Sequence, residues 1–165
     1  MSPRYTHRRQ HILELITAAN DAADPAACVR HHLQRQPAHG RSLTIAGDTI
    51  ALQNGRFFIV SVGKAAVAMA RAAAAVAGNL LHDGISLSKV LPHPEKESLA
   101  TVGVTAVTGS HPVADKNSVA ATQKVAQLLD QTQPGDLVLC LISGGASALL
   151  TQPLLPLDQW QPLNE

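Results

Sequence analysis

Lys64, set directly after Gly63 at the end of an apolar run, is the side chain in this sequence best placed to do chemistry. Residues 57–62 read Phe-Phe-Ile-Val-Ser-Val, as expected of a strand covered on both faces. Gly63 lets the backbone turn sharply out of that strand. Lys64 then falls in the first turn of an Ala-rich helix predicted over 65–77, where a cation opposes the positive end of the helix dipole. An anion bound at that helix start resolves the conflict by pairing with both. The plainer alternative is a solvated lysine on a loop. The loop is not a Walker A motif, because Phe58 stands where the first glycine belongs and Ala65 replaces the magnesium-binding hydroxyl.

Two further loops carry unusual chemistry. Residues 108–115, Thr-Gly-Ser-His-Pro-Val-Ala-Asp, place Ser110, His111 and Asp115 between a predicted strand and a predicted helix. Ser110 and His111 suit contact with a hydroxylated or carboxylated ligand, whereas Asp115 also suits a helix N-cap. Their spacing matches no familiar zinc pattern. Residues 143–147, Ser143, Gly144, Gly145, Ala146 and Ser147, follow another apolar run and precede a helix. Adjacent glycines there expose backbone N–H groups in a nest suited to phosphate or carboxylate. An ordinary strand-to-helix turn capped by Ser147 is the alternative. The chain contains no Gly-x-Gly-x-x-Gly fingerprint and no Gly-x-Ser-x-Gly elbow, which counts against a nicotinamide dehydrogenase and a serine hydrolase.

These loops need elements to hold them. Helical spacing predicts helices over about 7–20 and, opened by Asp24-Pro25, from there to about Arg35, with a break at 37–40. Residues 43–45 and 49–52 bracket Gly47-Asp48 as a hairpin. Strands are predicted over 57–62, 85–90, 102–107 and 137–142, the last buried, and helices over 65–77, 118–129 and from about 148. The Pro-His-Pro run at 92–94 leaves no room for a long helix, and Gln133-Pro134-Gly135-Asp136 reads as a turn. That alternation defines an α/β class: a three-layer, Rossmann-like sheet with helices on both faces. Ligands in such sheets collect where loops leave the carboxyl ends of strands.

Composition bounds the rest. The 165 residues suit one domain, and 45% hydrophobic with 15% charged residues reads as soluble and globular. Aromatics are 2%, so the core must be aliphatic, with helices packed closely on the sheet. A formal charge of +1 gives no electrostatic case for nucleic acid or an anionic membrane. No apolar run approaches the roughly 20 residues a spanning helix needs, and the basic start lacks a signal-peptide core, so a cytoplasmic location is expected. Cys28 and Cys140 read as two reduced thiols. His31 and His32 are sequence neighbours on a helix and share no face, Met69 reads as core, and the other histidines are scattered.

The three loops together resemble the two-domain glycerate 2-kinases that carry a MOFRL domain. The run at 62–70, Val-Gly-Lys-Ala-Ala-Val-Ala-Met-Ala, resembles the family's Val-Gly-Lys-Ala-Ala…Met-Ala segment. Residues 109–115 resemble its Gly-His-Pro-Val-Pro-Asp loop, and 141–150 its Leu-Ile-Ser-Gly-Gly-Gly-Ser-Ala-Leu-Leu loop. The opening helices also match, including Ala22-Ala23-Asp24-Pro25 and His32-Leu33. Ala114 stands where the family has proline, which loosens the loop, and Ala146 replaces the third glycine of the nest.

The resemblance implies transfer of the ATP γ-phosphoryl to the 2-hydroxyl of D-glycerate, giving 2-phosphoglycerate, with a divalent metal, Mg²⁺, whose ligands are not identifiable here. Lys64 is the expected catalytic cation. Gly63, Ser110, His111, Asp115, Ser143, Gly144, Gly145 and Ser147 are the expected substrate- and nucleotide-binding residues. It further implies that residues 1–165 are the amino-terminal part of the large domain, without the carboxy-terminal MOFRL domain and inactive alone. The competing readings are a hydroxypyruvate reductase, a non-catalytic module binding a phosphorylated metabolite, and a sugar-phosphate isomerase-like domain.

Overall fold

The computed structural model describes residues 3–36 and 40–164, and begins with a helix whose described side chains are exposed. α1 (Pro3–Ala22) has the predicted helical spacing, yet Ile12, Leu13, Leu15 and Ile16 are each more than half exposed. Asp24 caps α2 (Pro25–His32) as expected, accepting from the N–H groups of Ala26 and Ala27, with Pro25 in the first turn. That helix ends before Arg35. β1 (Leu33–Arg35) instead pairs antiparallel with β2 (Ser42–Ile45), Leu33 facing Ile45. β3 (Asp48–Ala51) completes this small sheet. Its hairpin turn falls on Ala46-Gly47 rather than Gly47-Asp48, because Ile45 faces Asp48 in register. Ala46 and Gly47 both take positive φ, 51° and 98°, as a two-residue turn matched to strand twist requires. The break expected at 37–40 lies largely outside the described residues.

The main sheet follows. β4 (Phe57–Val62), α3 (Ala66–Ala77), β5 (Leu81–Ser88), α4 (His93–Ala100), β6 (Val104–Thr108), α5 (Lys116–Leu129) and β7 (Leu137–Ile142) alternate along the chain. The sheet order is β6-β5-β4-β7, every pair parallel. Along β4 the side chains divide between two cores. Phe57 and Ile59 join the alanines of α3, while Phe58, Val60 and Val62 join Ala121, Val125 and Leu128 of α5. Ala66, Ala70, Ala73 and Ala77 are fully buried, so α3 approaches the sheet closely with no aromatic spacer. Phe57 and Phe58 are fully buried on opposite faces; truncating either to Ala costs about 3–5 kcal/mol. The α/β class with helices on both faces is thus the observed architecture.

Several boundaries depart from expectation. A helix of two turns, α4, does form after Pro92, because Pro94 sits in its first turn, where a missing N–H costs nothing. β5 starts at Leu81, straight after a short 3₁₀ turn at Gly78–Leu80, and β6 runs Val104–Thr108. Among the described residues β7 is not buried: it pairs with β4 alone, lies at the sheet edge, and leaves Ile142 70% exposed. α6 (Ala146–Leu149) and α7 (Leu157–Trp160) follow it. No helix among the described residues is long and apolar enough to cross a membrane.

One ion pair fastens the opposite end of the sheet. Asp136 accepts from the Arg56 N–H at 2.7 Å, from its guanidinium at 2.7 and 3.1 Å, and from the Gln133 N–H at 2.9 Å. The Arg56 hydrogen bonds hold the Asp136 carboxyl well below the usual carboxylate range.

Candidate functional site

After β4 the chain turns to one side, through α3 to β5; after β6 it crosses back to lay β7 on the other side of β4. The loops leaving β4 and β7 therefore diverge from neighbouring strands, which makes their carboxyl ends the topological switch point where ligands bind in open α/β sheets. These are the loops of Lys64 and Gly145. They are stitched together by backbone: the Ser143 N–H donates to the Val62 carbonyl at 2.9 Å, and the Lys64 N–H to the Gly144 carbonyl at 3.0 Å. Ser143 Oγ accepts from the Ala65 N–H at 3.0 Å.

Two glycines permit this approach. Gly63 has φ 122°, and a β-carbon there would meet the Ser143 hydroxyl and lie 2.6 Å from the Ser143 carbonyl oxygen. Gly145 has φ 89°, and its β-carbon would lie 2.9 Å from His111 Cδ2, 3.0 Å from His111 Nε2 and 3.6 Å from Lys64 Cε. All three loops thus meet over Gly145, with the His111 ring and the Lys64 stem against it. Lys64 itself precedes Ala65, the N-cap of α3, so it stands just outside the helix rather than in its first turn. Its side chain is exposed, as a cation awaiting an anion requires.

The remaining predicted residues make contacts within the fold. Asp115 caps α5: Oδ1 accepts from the N–H groups of Asn117 and Ser118 at 2.7 and 3.2 Å, and Oδ2 from Asn117 Nδ2 at 2.9 Å. Burial raises its pKa, but hydrogen bonds from Ser110, Ser118 and Asn117 outweigh that and hold it below its ordinary value. The Ser110 N–H donates to Ser118 Oγ at 2.9 Å, fixing the loop that carries His111. Ser147 is not the cap of α6. Gly145 takes that position, and the Ser147 carbonyl accepts from the Thr151 hydroxyl. Ala146 opens α6 in helical conformation, so the alanine in place of the family's third glycine carries no positive-φ strain.

Two further residues belong to the same end of the sheet. Lys89 follows β5 as Lys64 follows β4, exposed at the same end of the sheet; a lysine directly after a strand was the available signal. Gly109 is buried, and a β-carbon there would lie 3.1 Å from Ser118 Oγ and 3.2 Å from the Leu149 carbonyl. Two cavities among the described residues lie apart from this chemistry. A cavity of about 430 Å³ runs along β6 beside Lys96 and Lys124, and another of about 410 Å³ lies between α2 and β7. Neither is lined by Lys64, His111 or Gly145, and the strand ends rather than the hollows define the site. Among the described residues no three His, Cys, Asp or Glu side chains gather as a metal-binding group, and the Asp115 carboxylate is spent on its cap.

Fold and site together define a parallel α/β domain with a lysine, a histidine and two glycine turns gathered at its switch point. The chain belongs to the family described as a domain of unknown function (DUF4147), whose model matches residues 11–165. The D-glycerate 2-kinase of Thermotoga maritima is 38% identical to it over 111 residues, 66% of this chain and 26% of that protein. A protein of Agrobacterium vitis with the provisional name hydroxypyruvate reductase is 30% identical over 145 residues, 88% of this chain and 28% of its own length. The crystal structure of a Thermotoga maritima glycerate kinase superposes with a TM-score of 0.70 at 27% identity, covering 96% of this chain and 34% of that one. The resemblance carried by the three loops is therefore borne out. The chain spans about a quarter to a third of the length of the relatives it matches.

Proposed function

We propose that this chain supplies the phosphoryl-holding face of an ATP-dependent glycerate 2-kinase, which phosphorylates the 2-hydroxyl of D-glycerate to 2-phosphoglycerate. The observation that supports this most is the convergence of Lys64, His111 and Gly145 at the switch point. Phosphoryl transfer asks a protein mainly for positioning and charge neutralisation. Lys64 brings a compact cation, and the turn at Gly144 and Gly145 opens the backbone for close approach of an anion. His111 offers a ring nitrogen to a carboxylate or hydroxyl beside them. The divalent metal implied by the resemblance finds no donor set among the described residues, so no step is assigned to it.

Relatives named for glycerate kinase activity favour a kinase, while the provisional reductase name of the Agrobacterium vitis relative favours hydride transfer. The missing dinucleotide fingerprint argues against the latter. Phosphorus NMR of a family-length form with ATP, Mg²⁺ and D-glycerate should show 2-phosphoglycerate, and NADH with hydroxypyruvate should remain unconsumed. NADH oxidation without phosphorylation would replace this reading with the reductase. Residues 1–165 alone are expected to give only trace turnover.

A further inference from the structure

The contact between His111 and Gly145 has a buried counterpart. One residue before His111, the Ser110 N–H donates to Ser118 Oγ of α5 at 2.9 Å. The Ser118 carbonyl accepts from the Thr122 hydroxyl at 2.9 Å. The same Thr122 oxygen accepts from the Thr151 N–H at 2.8 Å. The Thr151 hydroxyl in turn donates to the carbonyl of Ser147, two residues after Gly145. A path of hydrogen bonds thus leads from the His111 loop, through α5, to the turn after β7. Ser118, Thr122 and Thr151 are all buried.

Thr122 is the middle of this path. A threonine inside a helix commonly turns its hydroxyl back to the carbonyl four residues earlier, and the bond to Ser118 is of that kind. The bond from Thr151 is not. It comes from a segment 29 residues away and uses a lone pair that back-bonding leaves open. A buried N–H that loses such an acceptor pays its full desolvation cost, so the segment would shift to find another. Packing leaves the path little slack. A β-carbon on Gly109 would lie 3.1 Å from Ser118 Oγ and 3.2 Å from the Leu149 carbonyl, so the end of β6, α5 and α6 meet closely there.

We propose that Thr122 is a positioning residue for this site: through Ser118 and Thr151 it sets how closely the His111 loop stands to the Gly145 turn. For its effect on rate, the inference rests on the kinase reading above. Phosphoryl transfer depends mainly on positioning, and a misplacement of about 1 Å can cost roughly 100-fold.

Two substitutions of opposite character test it. Thr122→Val keeps the branched shape and removes the hydroxyl, whereas Thr122→Ser keeps the hydroxyl and removes a methyl. A residue that only fills the core would suffer more from serine than from valine. In the 165-residue chain, the His111 ring resonance, assigned by its loss in His111→Gln, should shift in Thr122→Val and stay in place in Thr122→Ser. In a family-length form assayed with ATP and D-glycerate well below each melting temperature, kcat should fall at least about 10-fold with valine. Serine should recover most of it. In a His111→Gln background valine should cost little further rate, because no ring is left to displace. Three results would each overturn the proposal: an unmoved His111 resonance in a folded Thr122→Val chain, serine more damaging to kcat than valine, or equal losses from valine with and without His111. A shifted resonance beside a family-length form that makes no 2-phosphoglycerate would support the positioning role and retire the kinase reading instead.

Discussion

The Lys64 N–H donates to the Gly144 carbonyl at 3.0 Å, locking the loop after β4 to the loop after β7. The residue best placed to neutralise charge is thereby held by its backbone, while its side chain stays free to meet a ligand. Replacing the side chain consequently separates chemistry from folding. In a family-length form, Lys64→Ala should lower turnover roughly 100-fold or more, on the scale of one electrostatic donor. Its melting temperature should be unchanged or slightly higher, since a cation leaves a helix start. Lys64→Arg should recover part of the rate, because a planar fork does not occupy the point of an ammonium. Kinetics and calorimetry on both variants check this, and a fully active Lys64→Ala enzyme would remove Lys64 from the mechanism.

Gly145→Ala should damage the site more than the fold. The new methyl lies against the His111 ring, and positive φ adds about 1 kcal/mol of strain. Weaker ATP binding by calorimetry, with a shifted His111 ring resonance, is the expected pair of results. Ala146→Gly should bring no gain, because Ala146 is already helical. A small loss of stability, at most about 1 kcal/mol, is expected instead.

Asp115→Ala should cost about 1 kcal/mol of stability through the lost cap of α5. Chemical denaturation measures it. Since the carboxylate is occupied by Asn117, Ser118 and Ser110, metal affinity should not change.

Acid should unfold the protein partly through Asp136. Its carboxyl titrates below the unfolded value of about 3.9 because Arg56 binds the charged form. A group of that sign contributes stability fully above its unfolded pKa and loses it as pH falls toward the folded one. Melting temperatures measured from pH 6 to pH 2 should drop below about pH 4, and Asp136→Asn should flatten that drop while lowering the plateau.

Much of the scaffold could be read from local chemistry. Phe57–Val62 declared itself by being apolar on both faces, and Asp24 and Asp115 announced their helices by side chain and position. The misreadings arose where a distant partner decides. Leu33 leaves helical spacing because Ile45 pairs with it, and the apolar β7 looks interior although among the described residues it pairs with β4 alone. Three loops with suitable residues were legible one by one. That His111 and Lys64 both rest against Gly145 was not, because no local pattern records contacts between loops so far apart in the chain.

The pairing of β4 with β7 also sets a clock. Phe57 lies beside Leu137, and the intervening chain must be made before the two can meet. At ribosomal speeds of about 5–20 residues per second, that stretch of some 80 residues takes roughly 4–16 s to emerge. Over that interval β4, α3 and β5 can form from neighbouring sequence, but Phe58, Val60 and Val62 lack the α5 and β7 side of their core. The site at Lys64 comes into being only when β7 arrives. Any ligand captured there during synthesis would report that β7 has joined β4.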